Sequence, residues 1–275
     1  MINVEQVDFC YKRHQKALNQ INLSIESGEF IALIGRNGSG KTTLSRIMMA
    51  LLQPTAGRVL VDGDSLKGKK PSDVAGTVGY VFQNPDLQIL AETVAEEVAY
   101  GPVAKGLPQA EVDGRVAKAL AMTGLSELAD VYPRALSYGQ KRRLAVAAAL
   151  ALKPQVLILD EITGGQDAIE KQAVLDCLKR LNEEQGVTII LITHDMSTVL
   201  RYADRAIVMA QGKVVFDGVP QTLFAGQYPL TDWGLSCPPV AALSSVLFPE
   251  QPSPVDPAAL CRILKEKMRR DEPCD

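Results

Sequence analysis

Phe30-Ile31-Ala32-Leu33-Ile34 runs directly into Gly35-Arg36-Asn37-Gly38-Ser39-Gly40-Lys41-Thr42, and this junction limits the possible folds more than any other stretch. A continuous apolar run of this kind is a strand buried on both faces of a sheet. The residues after it, Lys41 to Leu52, carry a helical pattern stopped by Pro54 and Gly57. Between them, glycines let successive backbone N–H groups turn inward around an anion, and the helix N-terminus adds partial positive charge. The spacing G-x-x-x-x-G-K-[ST] suits phosphate oxygens: Lys41 would reach the β- and γ-phosphates and the Thr42 hydroxyl would ligate Mg²⁺. Gly35, Asn37, Gly38, Ser39, Gly40 and Thr43 complete the candidate phosphate contacts.

A second pair of groups belongs beside such a loop. Val156-Leu157-Ile158-Leu159 is another buried strand, and Asp160-Glu161 stands at its C-terminal end, where ligands bind in open α/β sheets. Asp160 would hold Mg²⁺, and Glu161 would orient or deprotonate an attacking water. Alone, the two carboxylates would read as a cap on the next helix; next to a phosphate loop they read as catalytic.

The rest of the chain alternates in the manner of an α/β domain. Short strands are expected at Ile2–Val7 and Ile21–Ile25, with a hairpin-like pair at Arg58–Val61 and Thr77–Phe82. Asn84 to Lys153 changes to helical character, over Glu92–Tyr100, Pro108–Thr123 and Leu144–Leu152, with Gly101-Pro102 among the breaks. Strands return at Thr188–Ile192 and Ala206–Met209, with helices at Ala168–Glu184 and Met196–Tyr202 between them. Beyond Gly218 the chain becomes proline-rich and ends in a helix opened by Asp256-Pro257, with Leu260, Ile263, Leu264 and Met268 on one side. That tail is either a dimerisation appendage or a cover for the core, and the reading favours the former.

Leu136-Ser137-Tyr138-Gly139-Gln140, ahead of a helix expected to begin at Lys141-Arg142-Arg143, makes a resemblance specific. The sequence resembles an ABC ATPase, whose defining motif is LSGGQ, with Tyr138 in place of the first glycine. The resemblance spans residues 1–218 and implies an α/β P-loop NTPase cassette. Its core sheet would be mainly parallel, joined by an antiparallel β subdomain and a helical subdomain at about 84–153, with residues 219–275 as a C-terminal extension. It implies that ATP is gripped between one subunit's phosphate loop and Ser137, Gly139 and Gln140 of another. It also assigns Gln83 to Mg²⁺ and the attacking water, and His194 to the γ-phosphate. Tyr11 would stack on adenine, and Asp167 would connect the two sites of the dimer. His14 lacks such a context and reads as a surface residue. The family usually has Glu-Pro-Thr and then Ala-Gly-Leu-Asp or Ser-Ala-Leu-Asp. This chain has Glu161-Ile162-Thr163-Gly164-Gly165-Gln166-Asp167, a departure that bears on coupling between sites.

Phe82-Gln83-Asn84-Pro85-Asp86-Leu87-Gln88-Ile89-Leu90 and Glu96-Glu97-Val98-Ala99-Tyr100-Gly101-Pro102 are similar to the ATPases of energy-coupling factor transporters, which import vitamins, cobalt or nickel. The resemblance implies a membrane T subunit seated in a groove near residues 84–100, and a membrane S subunit that carries substrate specificity. Acidic Asp86, Glu92, Glu96 and Glu97 would suit basic helices of the T subunit. Composition agrees with such a role. The net charge of −3 argues against bulk binding to nucleic acid. The longest apolar run, Leu144–Leu152, is half a bilayer span, and Met1–Glu5 lacks the layout of a secretion signal. The expected place is the cytoplasmic face of a membrane, reached through partners. Five scattered cysteines without a CxxC pair read as reduced thiols. Two other readings carry different consequences: a soluble ABC ATPase working on ribosomes or nucleic acid, and a regulatory subunit with weak hydrolysis.

Overall fold

A computed structural model describes residues 1–11, 16–162, 164, 168–225, 228–247 and 257–270, with side chains of the last helix described for 258–265. The chain begins with β1 (Ile2–Cys10), β2 (Lys16–Ile25) and β3 (Phe30–Ile34), followed by α1 (Lys41–Met48), β4 (Ala56–Val61), β5 (Asp64–Ser65), α2 (Pro71–Val74) and β6 (Val78–Val81). Three helices follow: α3 (Val94–Ala104), α4 (Gln109–Thr123) and α5 (Tyr138–Ala151). Then come β7 (Val156–Asp160), α6 (Ala168–Gln185), β8 (Thr188–Ile192), α7 (Met196–Tyr202), β9 (Arg205–Ala210) and β10 (Lys213–Gly218). The tail carries α8 (Pro220–Leu223), α9 (Pro239–Leu247) and α10 (Pro257–Arg270).

Two sheets form. The larger runs β10-β9-β3-β8-β7-β6; its inner pairings are parallel and only β10 runs antiparallel, against β9. The smaller runs β2-β1-β4-β5 and is antiparallel throughout. Every residue of β3, β7 and β8 is buried, and the period of two sends alternate side chains to opposite cores. Phe30, Ala32, Ile34, Leu157, Leu159, Ile189 and Leu191 meet α6 and α7 on one face. Ile31, Leu33, Val156, Ile158, Ile190 and Ile192 meet α1 and the antiparallel sheet on the other. A third core joins α3, α4 and α5 around Val98, Leu120 and Leu144. Helix α5 serves both layers: Ala145 and Val146 face the sheet, and Leu144, Ala147 and Ala151 face the helices.

Several expectations need correction. Arg58–Val61 and Thr77–Phe82 are not a hairpin. β4 turns through Asp62-Gly63, both at positive φ, onto β5, the geometry of a two-residue hairpin loop. β6 is buried at all four residues and pairs parallel with β7 instead. The first helix ends at Met48, well short of Leu52, because Ala50 takes a φ of 55°. Helix α3 starts from a Thr93 cap, whose side chain and Glu96 satisfy each other's backbone N–H, and continues through Gly101-Pro102. Gly101 lies close to the Leu152 side chain, so tertiary packing offsets the hydrogen bond that proline forgoes. Strand β10, entered through Gln211-Gly212 at positive φ, was not foreseen.

The beginning of the tail covers the core: Leu223, Phe224, Leu235 and Ala241 are buried against the sheet layer with Trp233, and the Arg36 N–H donates to the Trp233 carbonyl at 3.1 Å. In α10, Leu260 is buried and Ile263 and Leu264 are half-buried. Among the described residues no helix is long and apolar enough to cross a membrane, and Cys10, Cys177, Cys237 and Cys261 are free thiols.

Candidate functional site

The parallel strands deliver their C-terminal ends to one edge of the large sheet, and there β3, β6 and β7 hand over to the loops that carry the site. After β3 the backbone turns through Gly35, Gly38 and Gly40 at φ of 138°, 81° and 107°. A Cβ at Gly35 would lie 2.1 Å from the Met209 carbonyl, and one at Gly40 would lie 2.7 Å from the Ala17 carbonyl. Only glycine fits both the dihedrals and the space. Gly40 caps α1, so the N-terminus of that helix points into the loop.

The Lys41 side chain turns back under the loop and donates to the carbonyls of Gly35 at 2.7 Å and Arg36 at 3.1 Å. Burial pulls its ammonium pKa down, while Glu161 and Asp160 oppose that shift. The Ser39 hydroxyl is buried without a hydrogen-bond partner among the described residues. A buried, unpaired hydroxyl beside a buried cation and inward amides is a donor set that fits phosphate oxygens.

Opposite the loop, Asp160 ends β7, nearly buried. Burial raises its carboxyl pKa, an effect opposed by donors from Tyr80 and Thr42 and reinforced by the Glu161 charge. The Tyr80 phenol donates to Asp160 Oδ2 at 2.9 Å and sits 3.2 Å from the Ser45 hydroxyl. Glu161 follows at a φ of 50°, a left-handed conformation that is costly for a residue with a Cβ. Its N–H is held by the Ile192 carbonyl at 2.9 Å, and its carboxylate receives Gln83 Nε2 at 2.7 Å. His194, exposed after β8, approaches with Nδ1 3.9 Å from Glu161 Oε1. Tyr11 closes the outer side, its hydroxyl 3.1 Å from that of Thr43 and its ring edge-on to Phe9.

Tyr11, Asn37, Gly38, Gly40, Lys41, Thr42, Thr43, Gln83, Asp160 and Glu161 thus line one cleft of about 470 Å³. Its mixed cationic, amide and carboxylate lining suits a phosphorylated ligand and could hold a divalent cation beside it. Mg²⁺ takes one or two carboxylates and completes its shell with substrate phosphates, which Asp160 beside Thr42 satisfies.

Comparison with known proteins turns this geometry into a family. The ABC transporter family model matches residues 18–164, more than half of the chain. The energy-coupling factor transporter ATP-binding protein EcfA1 of Caldanaerobacter subterraneus subsp. tengcongensis is 45% identical over 255 residues, covering 91% of this chain and 92% of its own length. This chain is an ABC ATPase of the energy-coupling factor group. Among solved structures, cbiO1 of Clostridium perfringens, part of the ABC transporter complex cbiONQ, shares 36% identity at a TM-score of 0.77, covering 89% of this chain and 98% of its own. A dimeric post-hydrolysis ATP-binding cassette bound to ADP and Pi shares 31% identity at a TM-score of 0.72, over 80% of this chain and 99% of its own.

The ATPase does not bring every expected residue to the cleft. Ser137, Gly139 and Gln140 are not among its lining residues. They form the start of α5, which begins at Tyr138 rather than at Lys141. Ser137 is the N-cap: its hydroxyl accepts from Gln140 N at 3.2 Å, and Gln140 Oε1 accepts from Ser137 N at 2.8 Å, a reciprocal capping box. The Ser-to-Gln spacing, i to i+3, is the sequence signal that places the helix start at Tyr138 and not at Lys141. Asp167, Thr163, Gly165, Gln166 and His14 lie outside the described residues.

Of the acids assigned to a partner, Glu97 is buried and accepts from the N–H groups of Leu90 and Ala91, each at 2.8 Å. It braces the chain's own loop and cannot face a basic partner helix. Asp86 is paired with Lys141 and Glu96 is part of the α3 cap. Sequence reasoning also missed Tyr80, whose Val-Gly-Tyr-Val context gave only a core strand. A hydroxyl at a strand position flanking the Asp160 strand was the available signal.

Proposed function

We propose that two copies of this ATPase, or this chain with a related one, sandwich ATP and drive import of a vitamin or transition-metal ion through a membrane transporter. The observation that carries this reading is the convergence of Lys41, Thr42, Gln83, Asp160 and Glu161 on one cleft that lacks the Ser137–Gln140 turn. A second subunit supplies that turn, and the dimeric cassette with ADP and Pi, 31% identical, supports the arrangement.

The nucleotide phosphates lie in the amides of residues 35–43, with Lys41 released from its backbone carbonyls to meet the β- and γ-oxygens. Tyr11 stacks on the base. Thr42, Asp160 and Gln83 would hold Mg²⁺, which would supply neutralisation of phosphate charge. Glu161, aimed by its left-handed backbone and by Gln83, orients the attacking water and takes its proton. His194 meets the γ-phosphate, whose cleavage removes the differential contacts of the closed pair. Asp167 links the two sites of the dimer. Residues 1–218 form the cassette and 219–275 an extension that contributes to dimer contacts. Motion passes from Gln83 through residues 84–100 to a T-type membrane subunit, with substrate recognition in a separate S-type subunit, and the ATPase sits on the cytoplasmic face.

The test is Glu161→Gln. It retains shape and the Gln83 neighbour but removes the base, so ATP-dependent dimerisation should persist while turnover falls by about 100-fold. Hydrolysis at the parent rate would show that the base lies elsewhere.

A further inference from the structure

The start of α5 is tied to both halves of the Gln83–Glu161 pair in its own chain, through two consecutive cations. Lys141 Nζ meets Asp86 Oδ1 at 2.9 Å, with the lysine side chain only 15% exposed. Asp86 stands three residues after Gln83, in a turn where Asn84 accepts its N–H at 3.0 Å. Arg142 is 3% exposed and donates to the carbonyl of Ile162, the residue after Glu161. The same guanidinium lies 4.5 Å from the Tyr138 ring centroid and donates to the Tyr138 hydroxyl at 3.2 Å.

With Gln83 bonded to Glu161 at 2.7 Å, these contacts close a ring: Glu161, Ile162, Arg142, Lys141, Asp86, Gln83 and back to Glu161. A buried guanidinium is costly unless its face and N–H groups are met. The two terminal nitrogens donate to Ile162 and Tyr138, while Nε is buried without a partner among the described residues. Tyr138 meets the face, one helical turn before Arg142, where residues four apart are neighbours. This gives the tyrosine a role that the glycine usual at that position could not fill.

We propose that Lys141 and Arg142 are positioning residues that yoke the Ser137–Gln140 turn to the Gln83–Glu161 pair of the same chain. The yoke rests on the reading that this turn faces the nucleotide of another subunit. When that nucleotide draws in the turn, α5 moves as a rigid helix. Asp86 carries the shift to Gln83, and Ile162 carries it to Glu161. Each copy thereby aligns its own water-orienting pair only when the neighbouring site is filled. The path runs through Ile162, which stands where the family usually has proline, and not through the Gly164-Gly165-Gln166 departure.

The experiment measures kcat, KM, the Hill coefficient for ATP and nucleotide affinity on the full-length chain, with the Tm of each variant. Asp86→Asn and Lys141→Met should bind ATP within about twofold of the parent yet lose about tenfold in kcat, with the Hill coefficient falling toward one. Tyr138→Gly, which strips the ring from the Arg142 guanidinium, should act in the same direction. The exchange of Asp86→Lys with Lys141→Asp should recover kcat to within about threefold of the parent, which lowered stability alone would not produce. Asp86→Asn is a half-exposed isosteric change, so it remains readable if Lys141→Met folds poorly. The yoke is overturned if Asp86→Asn matches the parent in kcat and Hill coefficient, or if the exchanged pair is as slow as the single variants. A parent chain that fails to hydrolyse ATP would instead remove the functional reading itself.

Discussion

Removing one oxygen, in Tyr80→Phe, tests the electrostatics beneath the nucleotide cleft. The phenol donates to Asp160 Oδ2 at 2.9 Å, and phenylalanine retains the ring, so packing against Phe82 and the sheet is left nearly unchanged. A hydrogen bond to a buried charged group contributes about 1.5–3 kcal/mol. For a chain of this length, at about 2.1 cal/mol/K of unfolding entropy per residue, that is a loss of roughly 3–5 °C in Tm. The sign with pH follows from Asp160. Burial raises its pKa in the native state, and the Tyr80 donor holds that rise down. An acid with a raised native pKa binds more protons folded than unfolded, so its contribution to stability declines as pH rises through the window between the two values. Loss of the donor widens that window upward. The Tyr80→Phe deficit is therefore full above the native pKa, where the carboxylate is charged, and shrinks toward about 1 kcal/mol, a neutral hydrogen bond, below the unfolded value. Calorimetry without nucleotide or divalent cation, at about pH 8 and about pH 4, reads the difference. Equal deficits at both pH values would refute the assignment of the bond to a charged Asp160.

Two glycines should respond to alanine by very different amounts. At Gly40 the added Cβ meets the Ala17 carbonyl at 2.7 Å with φ at 107°, so Gly40→Ala should cost about 1–3 kcal/mol and weaken ATP binding by at least about tenfold, seen by melting and titration. At Gly139 the atom in the way is the end of the Glu170 side chain, at 2.0 Å, which can rotate aside; melting should show a loss below about 2 °C. Glu97→Gln keeps the shape but removes the charge that two N–H groups address; hydrogen exchange at Leu90 and Ala91 should accelerate by about fivefold, for roughly 1 kcal/mol of local stability. Leu144→Ala, at a fully buried position between α3 and α4, should cost about 2–5 kcal/mol in denaturant unfolding.

Legibility followed locality. The phosphate loop could be read because its conformation is set by its own glycines and by a strand and helix directly beside it. Asp160 and Glu161 could be read because they terminate an unmistakable apolar run. The helical pattern at 84–153 was visible, yet α3 was broken too early at Gly101-Pro102, since packing against α5 and Leu152 overrides the local penalty of proline. β6 was given the wrong neighbour because a four-residue apolar strand does not name its partner. Glu97 looked like an exposed acid until α3 folded back and the Leu90-Ala91 turn supplied two N–H donors.

By itself the sequence determined the chemistry on offer: a phosphate loop, a strand-end carboxylate pair and a capped Ser137–Gln140 turn, each encoded within a few consecutive residues by backbone sterics and hydrogen-bond capacity. Tertiary structure alone decided how those pieces address one another. It put Gln83 on Glu161, Tyr80 on Asp160, Lys141 on Asp86 and Arg142 on Ile162, while leaving the Ser137–Gln140 turn outside the cleft. The reason is that strand order and helix packing are chosen by burial summed over the whole chain, and no short segment contains that sum.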